Sequence, residues 1–83
     1  MRLAQYVKFR EEKFGGVLFE TRSEKVFTLT PTAAAVVREI VAGTAATEIA
    51  PRLAERFDAP GEAIERDVQA FLTEMRGKGL VDD

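Results

Sequence analysis

Chemistry at a protein surface needs side chains that can attack, trade protons or hold metals, and this chain carries few of them. Histidine and cysteine are both absent, which removes imidazole and thiolate metal ligands, cysteine nucleophiles and the commonest general base together. Ser23 is the one serine. A serine hydroxyl attacks only when a neighbouring base activates it and a third group orients that base, and here no histidine or cysteine can serve. The 14 carboxylate side chains are spread along polar faces, without an apolar pocket to push their pKa values apart. The Gly15-Gly16 pair could cradle a phosphate, but that use needs a helix N-terminus directly behind it, and the next residues, Val17 to Phe19, read as a strand. The inventory therefore excludes an enzyme and supplies no ligand set for a metal or cofactor.

The elements that would position a binding surface are clearer. Around Lys25 to Val37 the chain changes rhythm. Lys25, Phe27 and Leu29 alternate with Val26 and Thr28, as in a strand, whereas Val36, Val37, Ile40 and Val41 recur as on one side of a helix. Thr30-Pro31 marks the switch, with a hydroxyl to cap the helix and a proline that lacks an amide where none is needed. Upstream, Val7, Phe9 and Glu11 alternate with Tyr6, Lys8 and Arg10, predicting a first strand with one basic, solvated face. Glu12 to Gly16 reads as a turn, Val17 to Phe19 as a second strand, and Lys25 to Leu29 as a third, joined to the second through a polar loop of about five residues. The first helix should span Pro31 to Ala42 and stop at Gly43. The second carries Ile49, Leu53 and Phe57 on one stripe; Pro51 requires either a distorted first turn or a late start near Thr47 or Glu48. The third, Pro60 to Lys78, carries Ile64, Val68, Phe71, Leu72 and Met75 on its apolar stripe, with Pro60 at its first position. Leu80-Val81 then forms a short extended tail before Asp82 and Asp83 fray.

The 83 residues make one domain, 1–83, with 46% apolar and 31% charged residues for a modest core. No apolar run approaches the ~20 residues of a membrane span, the N-terminus lacks a secretion signal, and the absence of cysteine suits a reducing compartment. The expected address is the cytoplasm and the expected state a monomer. Net charge is -2, which gives no electrostatic pull toward nucleic acid or anionic lipid.

A three-stranded antiparallel sheet followed by a three-helix bundle makes an α+β fold, the parts list of a small winged helix-turn-helix-like domain. The alternative reading attached to that shape is a DNA-binding transcriptional regulator, whose last helix would enter the major groove. Between Pro60 and Met75, however, the charged residues are Glu62, Glu65, Arg66, Asp67 and Glu74, the wrong balance to meet phosphates.

Nearly the whole chain resembles one family. Phe9-Arg10-x-Glu12-x-Phe14-Gly15-Gly16-x-Leu18-Phe19, then Val26-Phe27-x-Leu29-Thr30-x-Thr32-Ala33-Ala34, then Glu48-Ile49-x-x-x-Leu53-Ala54-x-Arg56-Phe57, and Asp67-Val68-x-x-Phe71-Leu72 ending in Gly79-Leu80-Val81, look like the PqqD family of peptide chaperones, or precursor-peptide recognition elements. The opening motif is more similar to members that serve radical S-adenosylmethionine (radical SAM) enzymes than to those of lasso-peptide clusters. Ala45 and Ala59 stand where the family often has a capping hydroxyl, and Pro51 is unusual.

The resemblance implies a protein that binds the leader segment of a ribosomally made precursor peptide and presents it to a modifying enzyme, with no cofactor of its own. An exposed strand edge can accept an extended peptide as a further strand, so the third strand, Val26, Phe27, Thr28 and Leu29, is the expected site. Phe27 and Leu29 fit a core face, and Val26 and Thr28 the face that meets a guest. The third helix would form the other wall. Phe71 suits either core or groove floor, Ala63, Asp67 and Ala70 share one side where small residues leave room, and Arg66 and Glu74 could select charges in the leader. An ordinary solvated helix face accounts for Arg66, Asp67 and Glu74 equally well.

Overall fold

The computed structural model describes residues 1–82. In chain order the elements are β1 (Arg2–Leu3), β2 (Val7–Glu12), β3 (Gly15–Glu20), β4 (Lys25–Leu29), α1 (Pro31–Val41), α2 (Ala46–Ala54), α3 (Gly61–Gly77) and β5 (Val81–Asp82). The three expected strands are β2, β3 and β4, and they form an antiparallel sheet in that spatial order, with Val7 opposite Glu20, Glu12 opposite Gly15, Gly16 opposite Leu29 and Glu20 opposite Lys25. Only Lys13 and Phe14 turn the β2–β3 hairpin. The expected glycine turn is therefore corrected: both glycines lie inside β3, where they let the strand approach its neighbours. A Cβ on Gly15 would fall 2.2 Å from the Leu29 carbonyl oxygen, and one on Gly16 would fall 2.8 Å from the Phe9 ring and 3.3 Å from Ala34 Cβ.

Thr30 alone separates β4 from α1. Its hydroxyl accepts from the Ala33 amide at 3.2 Å, and Pro31 follows at the first helical position, so strand passes into helix as the spacing predicted. At the other end the Gly43 amide donates to Ile40 and the Thr44 amide to Glu39, with Gly43 in the left-handed region at φ 87°, a Schellman stop. Gly79 ends α3 in the same way, its amide bonding Arg76 while that of Leu80 bonds Met75. Two helix starts differ from expectation. Helix α2 begins at Ala46, so Pro51 lies inside it, and burial of Ile49, Ala50 and Leu53 offsets the missing amide bond. Pro60 is the residue before α3, not its first position.

The core sits between the inner sheet face and the helices. Leu18 of β3 shares it with Val36, Val37 and Ile40 of α1, Ile49 and Leu53 of α2, and Val68 and Leu72 of α3, all fully buried. Val41, placed on the apolar stripe by its spacing, is instead 61% exposed at the last turn of α1. The short β1–β5 ladder, Leu3 opposite Val81 and Arg2 opposite Asp82, has no counterpart in the sequence reading beyond the Leu80-Val81 tail. Asp82 is paired rather than frayed, and Asp83 lies outside the described residues. The Tyr6 hydroxyl donates to the Gly79 carbonyl at 2.7 Å and the Ala4 amide to that of Leu80 at 2.9 Å, which fastens this ladder to the end of α3.

Glu39 is the one buried charged residue among those described, 4% exposed on α1. Its carboxylate accepts from Thr44 Oγ1 at 2.7 Å, Arg52 Nε at 2.6 Å and Arg56 Nη2 at 2.8 Å, joining α1 to α2 and the loop after it. The Thr44 hydrogen bond and, after it, the arginines hold this carboxyl below the usual range against the opposing effect of burial.

Candidate functional site

Whether β4 can accept a guest depends on where its backbone groups point. In an antiparallel ladder, residues whose N–H and C=O both face the neighbouring strand alternate with residues whose groups face away. The Thr21 amide donates to the Tyr6 carbonyl at 2.9 Å, one step beyond the Val7–Glu20 end of the β2–β3 ladder. That bond fixes the alternation: Gly15, Val17 and Phe19 bond toward β2, and Gly16, Leu18 and Glu20 toward β4. Opposite the latter stand Leu29, Phe27 and Lys25. Val26 and Thr28 consequently direct their amides and carbonyls outward, along an edge that no other strand of the described residues covers.

Beside this edge a groove of about 460 Å³ opens between β4 and the C-terminal half of α3. Val26, Phe27, Thr28, Leu29, Phe71 and Glu74, all picked out from sequence, line it. Phe27 and Phe71 are half-buried: each packs against the core and also presents surface to the groove, so Phe71 fills both of the roles open to it. Leu29 is 5% exposed and belongs mainly to the core, whereas Val26 is 58% exposed. Asp67 lines an adjoining hollow of about 360 Å³ that shares Thr30, Ala33 and Phe71 with the first.

Ala63, Arg66 and Ala70 line neither space. With Ile64, Val68, Leu72 and Met75 buried, steps of ~100° per residue carry Arg66 nearly opposite the core and leave Ala63 and Ala70 further round the helix than Glu74. The sequence reading missed Thr30, Ala33, Met75, Lys78 and the floor residues Leu18 and Leu80. Lys78 had a usable signal, since it follows Glu74 by one helical turn. Its Nζ lies 3.7 Å from Glu74 Oε1 and 5.5 Å from the centre of the Phe27 ring, a cation over an aromatic floor.

The outer sheet face carries a separate hollow of about 340 Å³ over Val17, Phe19 and Val26, edged by Lys8 and Arg10. Ser23 sits in the exposed β3–β4 loop, where its hydroxyl donates to the Glu20 carboxylate and the Arg22 amide donates to the same group at 2.7 Å. These bonds, that of Ser23 foremost, hold the Glu20 carboxyl below its usual range and brace the loop. Among the described residues no group of three His, Cys, Asp or Glu side chains could hold a metal, and no helix is long and apolar enough to cross a membrane.

Residues 15–81 match the family model described as coenzyme PQQ synthesis protein D (PqqD). No curated protein matches the chain. Among solved structures, a lasso peptide synthetase B1 complexed with the leader peptide is 26% identical, with a TM-score of 0.84 over 99% of this chain and 96% of that one. TbiB1 in complex with the TbiA(beta) leader peptide superimposes over 100% of both chains with a TM-score of 0.86; at 20% identity the likeness is one of fold.

Proposed function

Because the chain belongs to the PqqD family, we propose that it binds the leader segment of a ribosomally synthesised precursor peptide and presents it to the enzyme that modifies that peptide. The open edge of β4 beside the groove is the observation that carries this reading. An extended leader adds to β4 as a further strand, exchanging backbone hydrogen bonds with Val26 and Thr28 while alternate side chains drop between Phe27, Phe71 and Met75. Asp67 and Glu74 meet polar side chains of the leader, and Ala63, Arg66 and Ala70 contact only those parts that overhang the groove. That the solved chains of similar fold are complexes with leader peptides supports the same reading.

In this role the protein is a winged helix-turn-helix-like scaffold and not an enzyme: a cytoplasmic monomer that needs no cofactor and does not bind nucleic acid. The Phe9-Arg10-x-Glu12-x-Phe14-Gly15-Gly16 motif favours a radical SAM enzyme as the partner. Titration of a leader peptide into labelled protein tests the site. Amide shifts should concentrate in Val26 to Thr30 and along α3 from Asp67 to Lys78; shifts confined to Lys8, Arg10 and the β2–β3 hairpin would place the guest elsewhere. Affinity should fall by no more than a few fold between low and moderate salt, the loss expected of one or two exposed charge contacts. Retention on duplex DNA that falls steeply with salt would instead favour a regulator. Leader-dependent co-elution with a radical SAM enzyme checks the partner.

A further inference from the structure

The groove is not electrically uniform along its length. At the end where β4 begins, Lys78 stands over Phe27, and exposed Lys25 lies on the same strand face as Phe27. At the end where β4 passes into α1, Asp67 lines the hollow with Thr30, Thr32 and Phe71. Glu74 lies between them on α3 and pairs with Lys78 across 3.7 Å, both side chains well exposed. The guest channel is thus basic at one end, acidic at the other, and aromatic in between.

The spacing of those ends matches an extended strand. From Asp67 to Lys78 the helix rises ~16 Å, at ~1.5 Å per residue. Residues on one face of a strand recur every ~6.8 Å, so two same-face intervals, extended by long side chains, cover that distance. The middle residue then falls over Phe71 and Met75, where Glu74 disfavours an acid. Direction follows from the sheet, in which every ladder is antiparallel. A guest that continues the pattern runs against β4, starting near Asp67 and finishing near Lys78.

Resting on the leader-binding reading, we infer that this protein selects its leader by charge order: a basic residue, an apolar anchor two positions later and an acidic residue two positions after that. Asp67 and Lys78 are the specificity-determining pair. A carboxylate in the leader displaces Glu74 from Lys78, an exchange that leaves Lys78 over the Phe27 ring.

Three short peptides test this, each with the same leucine anchor: one with lysine before it and glutamate after it, one with these two exchanged, and one with glutamine at both places. Binding is read by fluorescence anisotropy in low and high salt. The lysine-first peptide should bind about tenfold tighter than the exchanged one at low salt, the sum of small surface-charge effects, and the difference should shrink in high salt. Lys78→Gln should reduce the preference to about threefold, and the double variant Asp67→Lys with Lys78→Glu, checked for folding by circular dichroism, should reverse the ranking. Equal binding of the three peptides overturns the charge-order inference and leaves leader binding standing, as does tighter binding of the exchanged peptide. Failure of all three to bind overturns the leader reading itself.

Discussion

Proline substitution along β4 separates binding from folding, because the strand's amides alternate between β3 and the open edge. At Thr28 the amide points outward, so proline removes a donor that no strand among the described residues uses. Its fixed φ is tolerated at a strand edge, and the fold should lose no more than about 1 kcal/mol, a fall in Tm of ~4–8 °C for a domain of this size. A guest strand loses one hydrogen bond worth about 1 kcal/mol and is left with a carbonyl facing the proline ring, a further penalty of ~1–2 kcal/mol. Together these weaken leader binding by about thirtyfold to a hundredfold or more. At Phe27 the same change strikes the Leu18 side of the ladder and removes a half-buried ring, costing several kcal/mol out of the ~5–15 a small domain has. Circular dichroism melts and anisotropy titration of Thr28→Pro, Val26→Pro and Phe27→Pro give both readouts. A folded Thr28→Pro protein that binds leader with unchanged affinity would refute strand addition, since a guest cannot bond to a donor that is gone.

The Glu39 cluster gives a pH test. Its carboxyl titrates lower in the fold than the ordinary value of 4.5, so its stabilisation is complete above about pH 4.5 and is lost as pH falls through the folded value. Urea melts from pH 7 to pH 3 should show this loss, and Glu39→Gln should flatten it. At neutral pH Glu39→Ala should cost about 3 kcal/mol, the lower end for a buried pair because Arg52 and Arg56 still reach water. Gly15→Ala should be far more damaging than Gly43→Ala, although both have positive φ, because the new Cβ meets the Leu29 carbonyl in the first case and open space in the second. The expected cost at Gly43 is ~1–2 kcal/mol, and at Gly15 enough to prevent folding at moderate temperature; thermal melts decide. Phe71→Ala should weaken leader binding at least tenfold, the effect of emptying an aromatic wall, while a half-buried position limits the fall in stability to ~2 kcal/mol.

Periodicity carried the parts of the fold where one face is buried over several residues. That is why β4, α1 and α3 were legible, and why the strand-to-helix switch at Thr30-Pro31 matched to the residue. Two-residue strands have no period, so β1 left no signal and β5 showed only as the extended Leu80-Val81 tail. Paired glycines suggest a turn when only local geometry is weighed; in β3 their small size serves the close approach of Leu29, Phe9 and Ala34, which are distant in sequence. Glu39 looked like any polar residue of a helix because its partners come from α2 and the segment beyond it. For the groove, the strand half was readable from alternation. The helix half was readable only with the buried stripe as origin, and angular steps from Val68 and Leu72 would have set Arg66 aside and brought Lys78 in.

A free strand edge is also a hazard, since it can recruit identical copies into fibres. At β4 the hazard is contained by length. Within this strand the alternation leaves Val26 and Thr28 with outward-facing backbone groups. Past Leu29 the chain is already helix, and the Thr30 carbonyl is used by the Ala34 amide at 2.8 Å. Before Val26, exposed Lys25 places a charge that would meet its own like in a stacked array. An edge this short can bind one peptide when side chains add their grip, but it offers too few bonds to hold an endless column of strands, so openness of β4 to a single guest does not make it a seed for aggregation.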